Sequence, residues 1–213
     1  MPTNSTFKYE TKRNNLFLRV ARGHFAMPSC HCNFYIDVVA QKTRLSEANA
    51  VAEELRSYFY HTTVVDTILC LDGTEVIGAC LAQQLQKNDF INMNAHKSIY
   101  VVSPETTNSS QLIFRDNITP MIEGKHVMVL AVSVASGKTV EGAVNTVKYY
   151  GGEVSGICSI FSTVDTCAGL PVYSCFNPKD LDGFASYPSH ECPMCARGEK
   201  IDALVNAHGY SKL

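Results

Sequence analysis

Apolar residues recur along the middle of the chain in two rhythms, and their order predicts helices alternating with strands. Ala48, Val51, Ala52, Leu55, Tyr58 and Phe59 fall on one face at helical spacing, with Ser46 or Thr43 placed to cap the start. TTVVDTILCL (62–71) is apolar and β-branched on both faces, which predicts a strand buried inside a parallel sheet. A turn at Asp72-Gly73 then opens DGTEVIGACLAQQL, where Ile77, Cys80, Leu81 and Leu85 mark a second helix, and SIYVVS (98–103) predicts the next strand. Residues 104–126 have no clean period and carry Pro104, Pro120, Gly124 and a TTNSS tract. A stretch this long without a rhythm reads as a functional or mobile loop, with a short hairpin around QLIF. HVMVLAVSV follows as a buried strand, ASGKT as a turn, and Val140, Ala143, Val144 and Val147 as a helix face that Gly151-Gly152 stops, before EVSGICSIFS as a further strand.

The two ends are less regular. Residues 16–39 alternate basic and apolar positions and end in FYIDVV, which predicts a short helix or strand followed by an edge strand. VYSCF (172–176) predicts a last strand, and Ile201, Leu204, Val205 and His208 suggest a short helix closed by Gly209. The whole predicts an α/β fold, a mostly parallel central sheet flanked by helices with right-handed crossovers. At 213 residues it is read as a single domain, with a core at about 40–165 and hood and tail at 1–39 and 166–213.

Composition narrows the function. Hydrophobic residues make up 46% and charged residues 18%, below the usual quarter, which favours a well-filled core over disorder. A net charge of −2 with no basic stripe disfavours a nucleic-acid binder. The longest nearly unbroken apolar run, Val127 to Ala135, is too short to span a bilayer, so no membrane association is expected. The polar start MPTNSTFKYETKRNN lacks the apolar segment of a secretory signal, which predicts a cytoplasmic protein. Nine cysteines, an odd number without an export signal, read as reduced thiols.

The most informative turn is SVASGKT, Ser133, Val134, Ala135, Ser136, Gly137, Lys138 and Thr139, between a buried strand and a helix start. Small residues there leave backbone N–H groups aimed outward, where the helix dipole also favours an anion. Ser136 and Thr139 add hydroxyls and Lys138 adds charge, giving a candidate monophosphate cradle; a plain strand-to-helix joint without a ligand is the alternative. A Walker A loop is disfavoured because Val132 occupies the position of that motif's first glycine.

HVMVLAVSVASGKTVEGAVNTVKYYGG resembles the signature of the type I phosphoribosyltransferases: an apolar strand, two acids, a small-residue turn, and a helix. Asp72-Gly73-Thr74 sits where that family places its pyrophosphate loop. SCHCNFYID (29–37) is similar to a stretch of the orotate phosphoribosyltransferases, and the CPMCARGEKI tail resembles cysteine-containing tails of some relatives. The resemblance runs roughly from Gly23 to Gly198. It implies the type I phosphoribosyltransferase fold with a small N-/C-terminal hood, and transfer of the phosphoribosyl group of phosphoribosyl diphosphate (PRPP) to a small-molecule base, orotate by overall pattern, as in pyrimidine nucleotide biosynthesis. It also implies Mg2+ as cofactor and a homodimer. Ser133 to Thr139 would hold the 5′-phosphate, and Leu71, Asp72, Gly73 and Thr74 would approach the diphosphate. The irregular segment 104–126 matches the family's mobile catalytic loop, where Arg115 is the one basic residue between Ser103 and Gly124 and so the candidate catalytic cation. A surface ion pair is the other reading of Arg115.

Three features depart from the family. Its two adjacent acids, which hold the ribose hydroxyls, fall on Ala131 and Val132, and each charge-assisted hydrogen bond lost typically costs about 1.5–3 kcal/mol. The loop lacks the usual lysine-rich patch. Asp165 is followed by Thr166 where orotate enzymes commonly have an Asp-Arg pair. These departures keep a second hypothesis open: a catalytically reduced regulatory protein that binds PRPP or a nucleotide monophosphate.

Cys192 and Cys195 have the CxxC spacing that lets two thiolates meet one Zn2+, against a structural turn or a reactive thiol pair. Cys30, His31 and Cys32, or Cys167 and Cys175, are candidates for the remaining ligands, with His190 nearby in sequence.

Overall fold

The computed structural model describes residues 6–10, 16–28, 30–59, 61, 63–87, 93–94, 98–109, 111–206 and 209–213. In chain order the strands are β1 (Thr6–Glu10), β2 (Phe17–Ala26), β3 (Cys30–Asp37), β4 (Thr67–Cys70), β5 (Tyr100–Val102), β6 (Glu105–Thr106), β7 (Leu112–Ile113), β8 (His126–Val134), β9 (Glu153–Ser162), β10 (Thr166–Cys167), β11 (Leu170–Phe176), β12 (Ser186–Pro188), β13 (Ala203–Asn206) and β14 (Gly209–Lys212). The α-helices are α1 (Val39–Thr43), α2 (Leu45–Phe59), α3 (Glu75–Leu85), α4 (Lys138–Tyr149) and α5 (Pro193–Ala196). The chain divides into two units, one of residues 40–175 and one of residues 1–39 with 176–213.

The 40–175 unit is built on a sheet of order β10-β11-β9-β8-β4-β5, in which β9, β8, β4 and β5 run parallel. Every residue of β4 is buried, as is most of β8, the pattern of strands covered on both faces. On one face α4 lays Val140, Ala143, Val144 and Val147 against Leu69, Val127, Val129, Ala131 and Ile157. Helices α2 and α3 pack on each other, with Gln84 Nε2 donating to Asn49 Oδ1 at 2.9 Å. At Gly156 an added Cβ would lie 2.7 Å from the Phe59 ring, so α2 reaches β9 only because no side chain intervenes. The expected alternation of strands and helices across this unit is observed, and the short ribbon near QLIF pairs β6 with β7.

The second unit is a sheet of order β12-β3-β2-β13-β14, with β1 also paired to β2. Residues 16–39, read as a helix or strand followed by an edge strand, form the antiparallel pair β2 and β3. The short helix expected from Ile201 to Gly209 is instead the hairpin of β13 and β14; His208 lies outside the described residues. Ala203 and Leu204 pair in parallel with Phe25 and Ala26, and this long-range ladder overrides a four-residue spacing that a helix would also satisfy. No helix among the described residues is long and apolar enough to cross a membrane.

Candidate functional site

Parallel sheets of this kind bring their binding loops together beyond the carboxyl ends of the strands. Here β4 and β8 are neighbours in register, Cys70 opposite Leu130, so the turns that follow them share one sheet edge.

The turn after β8 is held from behind. The Val134 carbonyl accepts from Thr163 N–H at 2.9 Å, and the Ala135 carbonyl from Thr163 Oγ1 at 2.9 Å. The Gly137 carbonyl accepts from Glu141 N–H at 2.8 Å and from the Cys167 thiol at 3.4 Å. With these carbonyls engaged, the N–H groups of Ser136, Gly137, Lys138 and Thr139 have no acceptor among the described residues. No side chain caps α4. Gly137 is the N-cap and is left-handed, φ 78°, where a Cβ would meet Cys167 Sγ at 3.0 Å. Burial, reinforced by the Glu141 charge, pushes the Cys167 thiol up, so it stays a protonated donor. Ser133, Ser136, Lys138 and Thr139 are exposed, Ala135 and Gly137 half-buried, and Val134 packs into the core.

The turn after β4 is strained. Leu71 extends the ladder through its N–H to Leu130 O at 2.8 Å and buries its side chain. Asp72 and Gly73 are then both left-handed, φ 57° and 78°, a conformation that short polar side chains and glycine tolerate best. Thr74 is fully buried, its hydroxyl directed to Leu71 O at 2.8 Å and Leu130 O at 3.2 Å. It thus braces the turn from inside, leaving Asp72 and Gly73 at the lip. Lys42, on α1, donates from Nζ to Asp72 O at 2.9 Å, and a Cβ at Gly73 would lie 3.7 Å from that ammonium and 4.0 Å from Glu75 Oε2. Sequence reading missed Lys42, because nothing local marks a lysine thirty positions ahead of the turn it serves. Ser103, just past β5, donates to Glu75 Oε1 at 2.6 Å and so brings a third strand end to this edge.

Ala131 and Val132 lie buried in β8, Ala131 beneath α4. Arg115 forks onto Glu105, Nε to Oε2 at 2.7 Å and a terminal nitrogen to Oε1 at 2.6 Å, on the solvent-exposed side of the β6–β7 segment. The guanidinium holds the Glu105 carboxyl below the usual range.

In the terminal unit, Cys192 and Cys195 are joined by His31 and His24, all four ligand atoms lying within 4.8 Å of one another. Of the candidate partners only His31 enters this cluster. Cys32 instead packs with Phe25, Tyr35 and Ala203 and donates to Phe34 O at 2.9 Å, and burial pushes it up to about 11. Cys167 belongs to the α4 turn, and His190 pairs with Glu191 at 3.3 Å. His24 carried no local signal in an alternating strand. It is positioned by a β-bulge: β2 takes three steps from Arg22 to Phe25 while β3 takes two from Phe34 to Cys32. Gly23 has no room for a Cβ, which would lie 2.6 Å from Asp202 Oδ2. Burial, and then the neighbouring His24, lower the pKa of His31.

No protein-family description matches the chain. Among solved structures it is similar to the orotate phosphoribosyltransferase of Mycobacterium tuberculosis H37Rv in complex with Fe(III) dicitrate, with a TM-score of 0.54 and 16% identity over 78% of this chain and 93% of that one. The UMP synthase of Leishmania donovani gives 0.54 and 19% identity over 76% of this chain, which spans 34% of that larger protein. The adenine phosphoribosyltransferase of Thermoanaerobacter pseudethanolicus gives 0.50 and 18% identity over 68% of this chain and 88% of that one. At such identities the likeness concerns the path of the backbone, and enzymes named for different acceptors stand about equally near. The chain has the fold of the type I phosphoribosyltransferases.

Proposed function

We propose that this protein binds the 5′-phosphate of PRPP on the amides at the start of α4 and transfers the phosphoribosyl group to a base nitrogen, orotate being the first acceptor to test. The observation that carries this reading is the row of N–H groups at Ser136 to Thr139, without acceptors among the described residues and at a helix start, beside the strained Asp72-Gly73 turn. The 5′-phosphate would take those amides with the Ser136 and Thr139 hydroxyls, and the diphosphate would lie over Gly73 within reach of the Lys42 ammonium.

The donor chemistry at this edge is compatible with magnesium. Asp72 and Glu75 offer oxygen, and Mg2+ commonly takes one or two carboxylates with phosphate oxygens and water. When bound with PRPP, the ion would neutralise charge on the leaving diphosphate. The chain's own residues fix the two phosphate ends, so that the acceptor nitrogen meets the anomeric carbon in a set geometry; positioning and electrostatics would supply the rate. Arg115 would have to leave Glu105 to reach the diphosphate.

A second reading, binding without turnover, is favoured by one observation: the positions of the family's ribose-holding acids are buried apolar residues, Ala131 and Val132. Calorimetry with PRPP and magnesium, followed by diphosphate-release assays with orotate and with adenine, separates the two. Release with either base supports transfer and names the acceptor; tight binding without release supports the regulatory reading. Absence of binding to PRPP and to ribose 5-phosphate would remove both.

A further inference from the structure

His24, His31, Cys192 and Cys195 meet from three separate chain segments, two sheet strands and the CxxC turn that opens α5. His24 Nε2 lies 3.1 Å from His31 Nδ1, Cys195 Sγ lies 3.3 Å from His31 Nδ1, and both sulfurs lie 3.6 Å from His24 Nε2. A tetrahedral zinc with bonds of about 2.05 Å to nitrogen and about 2.3 Å to sulfur requires N···N edges of about 3.3 Å and N···S edges of about 3.6 Å. All four distances fall within about 0.3 Å of those edges. We propose that these four side chains form a structural zinc site that ties the N-terminal strands to the C-terminal tail.

The surroundings match such a site. His24 would bind through Nε2, and its other ring nitrogen, Nδ1, lies 3.0 Å from Glu199 O, the outer hydrogen bond that fixes a ligating imidazole's orientation and tautomer. The His24 backbone is pinned from both sides by Asp202, N–H to Oδ2 at 2.8 Å and carbonyl to the Asp202 N–H at 2.8 Å. Pro193 starts a single helical turn after Cys192, and the bond from Ala196 N–H to Cys192 O at 3.1 Å places Cys195 back beside its partner. All nine cysteines are free thiols, so no disulfide competes for this pair. Four protein ligands leave no open position, the arrangement of structural rather than catalytic zinc. On binding, Zn2+ forms two bonds to sulfur and two to nitrogen, and the two thiol protons pass to solvent. The resulting centre carries no net charge, which suits the buried His24 and Cys192 that form its inner side.

The inference is independent of the proposed transfer reaction, since its residues belong to the terminal unit. The test is metal analysis of the full-length protein purified without chelator from zinc-supplemented medium, together with X-ray absorption at the zinc edge. The expected result is one zinc per chain, with a first shell of two nitrogens at about 2.0–2.1 Å and two sulfurs at about 2.3 Å. Cys195→Ser and His24→Gln should each cut retained zinc severalfold. Replacing zinc with Co2+ should give the intense visible bands of a tetrahedral centre. The absorption measurement uses the unaltered protein, so a variant that fails to fold does not remove the test. Protein that is folded yet takes up neither zinc nor cobalt overturns the proposal, as does a first shell without two sulfurs or zinc retention unchanged in both variants.

Discussion

Replacing Gly137 by valine tests the anion cradle directly. The native φ of 78° is left-handed, and an L-residue placed there costs about 1–2 kcal/mol, more when β-branched. The new Cβ would also stand 3.0 Å from Cys167 Sγ, and the valine methyl groups would extend beyond it. The two effects together amount to at least about 2 kcal/mol. If the turn escapes by rotating its amides, that strain appears as lost affinity of about thirtyfold or more. The assay is calorimetric binding of ribose 5-phosphate, with urea unfolding alongside to register strain that remains in the folded state. Adding Cys167→Ala should relieve the steric part and leave the backbone part, so the double variant recovers only a portion of the affinity. A folded Gly137→Val protein that binds ribose 5-phosphate within about twofold of the parent would refute the assignment of these amides.

Further outcomes follow from other residues. Ala131→Asp would bury a carboxyl beneath α4 among Val140, Ala143 and Val144, lowering stability by about 3 kcal/mol in urea unfolding; an unchanged midpoint would mean that this position opens toward solvent. Burial pushes the Cys70 thiol up from 9.0 to about 12, so the folded state keeps a proton that the unfolded chain releases from about pH 9 upward. Its stabilising share is therefore present below pH 9 and falls by about 1.4 kcal/mol per pH unit toward pH 12; urea midpoints of Cys70→Ala should lack this part of the slope, and identical slopes reject it. Glu105→Gln weakens the fork that holds Arg115, so if Arg115 serves the leaving diphosphate this variant should raise kcat/KM while Arg115→Ala lowers it, both with unchanged melting temperature. Equal kinetics in the two variants would return Arg115 to the role of a surface ion pair.

The parts of the fold that were legible were those whose local pattern agrees with their long-range environment. β8 followed by α4 could be read because a strand covered on both faces is continuously apolar, while a helix covered on one face keeps Val140, Ala143, Val144 and Val147 in step. The 201–209 segment misled because Leu204 and Val205 fit either period, and the partner that decides between them, β2, lies far away in sequence. The same distance hid two residues of the candidate sites. Lys42 and His24 are placed by a carbonyl and a bulge that exist only after folding, whereas Gly137 and the CxxC pair announce themselves through spacing alone. The bracing role of Thr74 was equally invisible, since a threonine before a helix reads as an outward cap and here turns its hydroxyl inward.

One sheet joins segments that lie far apart in sequence, which bears on the order in which it can form during synthesis. β1, β2 and β3 are synthesised early and pair with one another, but β12, which borders β3, and β13, which borders β2, emerge only after residues 40–175. Until then the outer edge of β3, and β2 at Phe25 and Ala26, stay unpaired while residues 40–175 are being made. A chain interrupted before Ser186 would therefore keep β3 bare along that edge, so a lesion in a late segment is felt in strands made early.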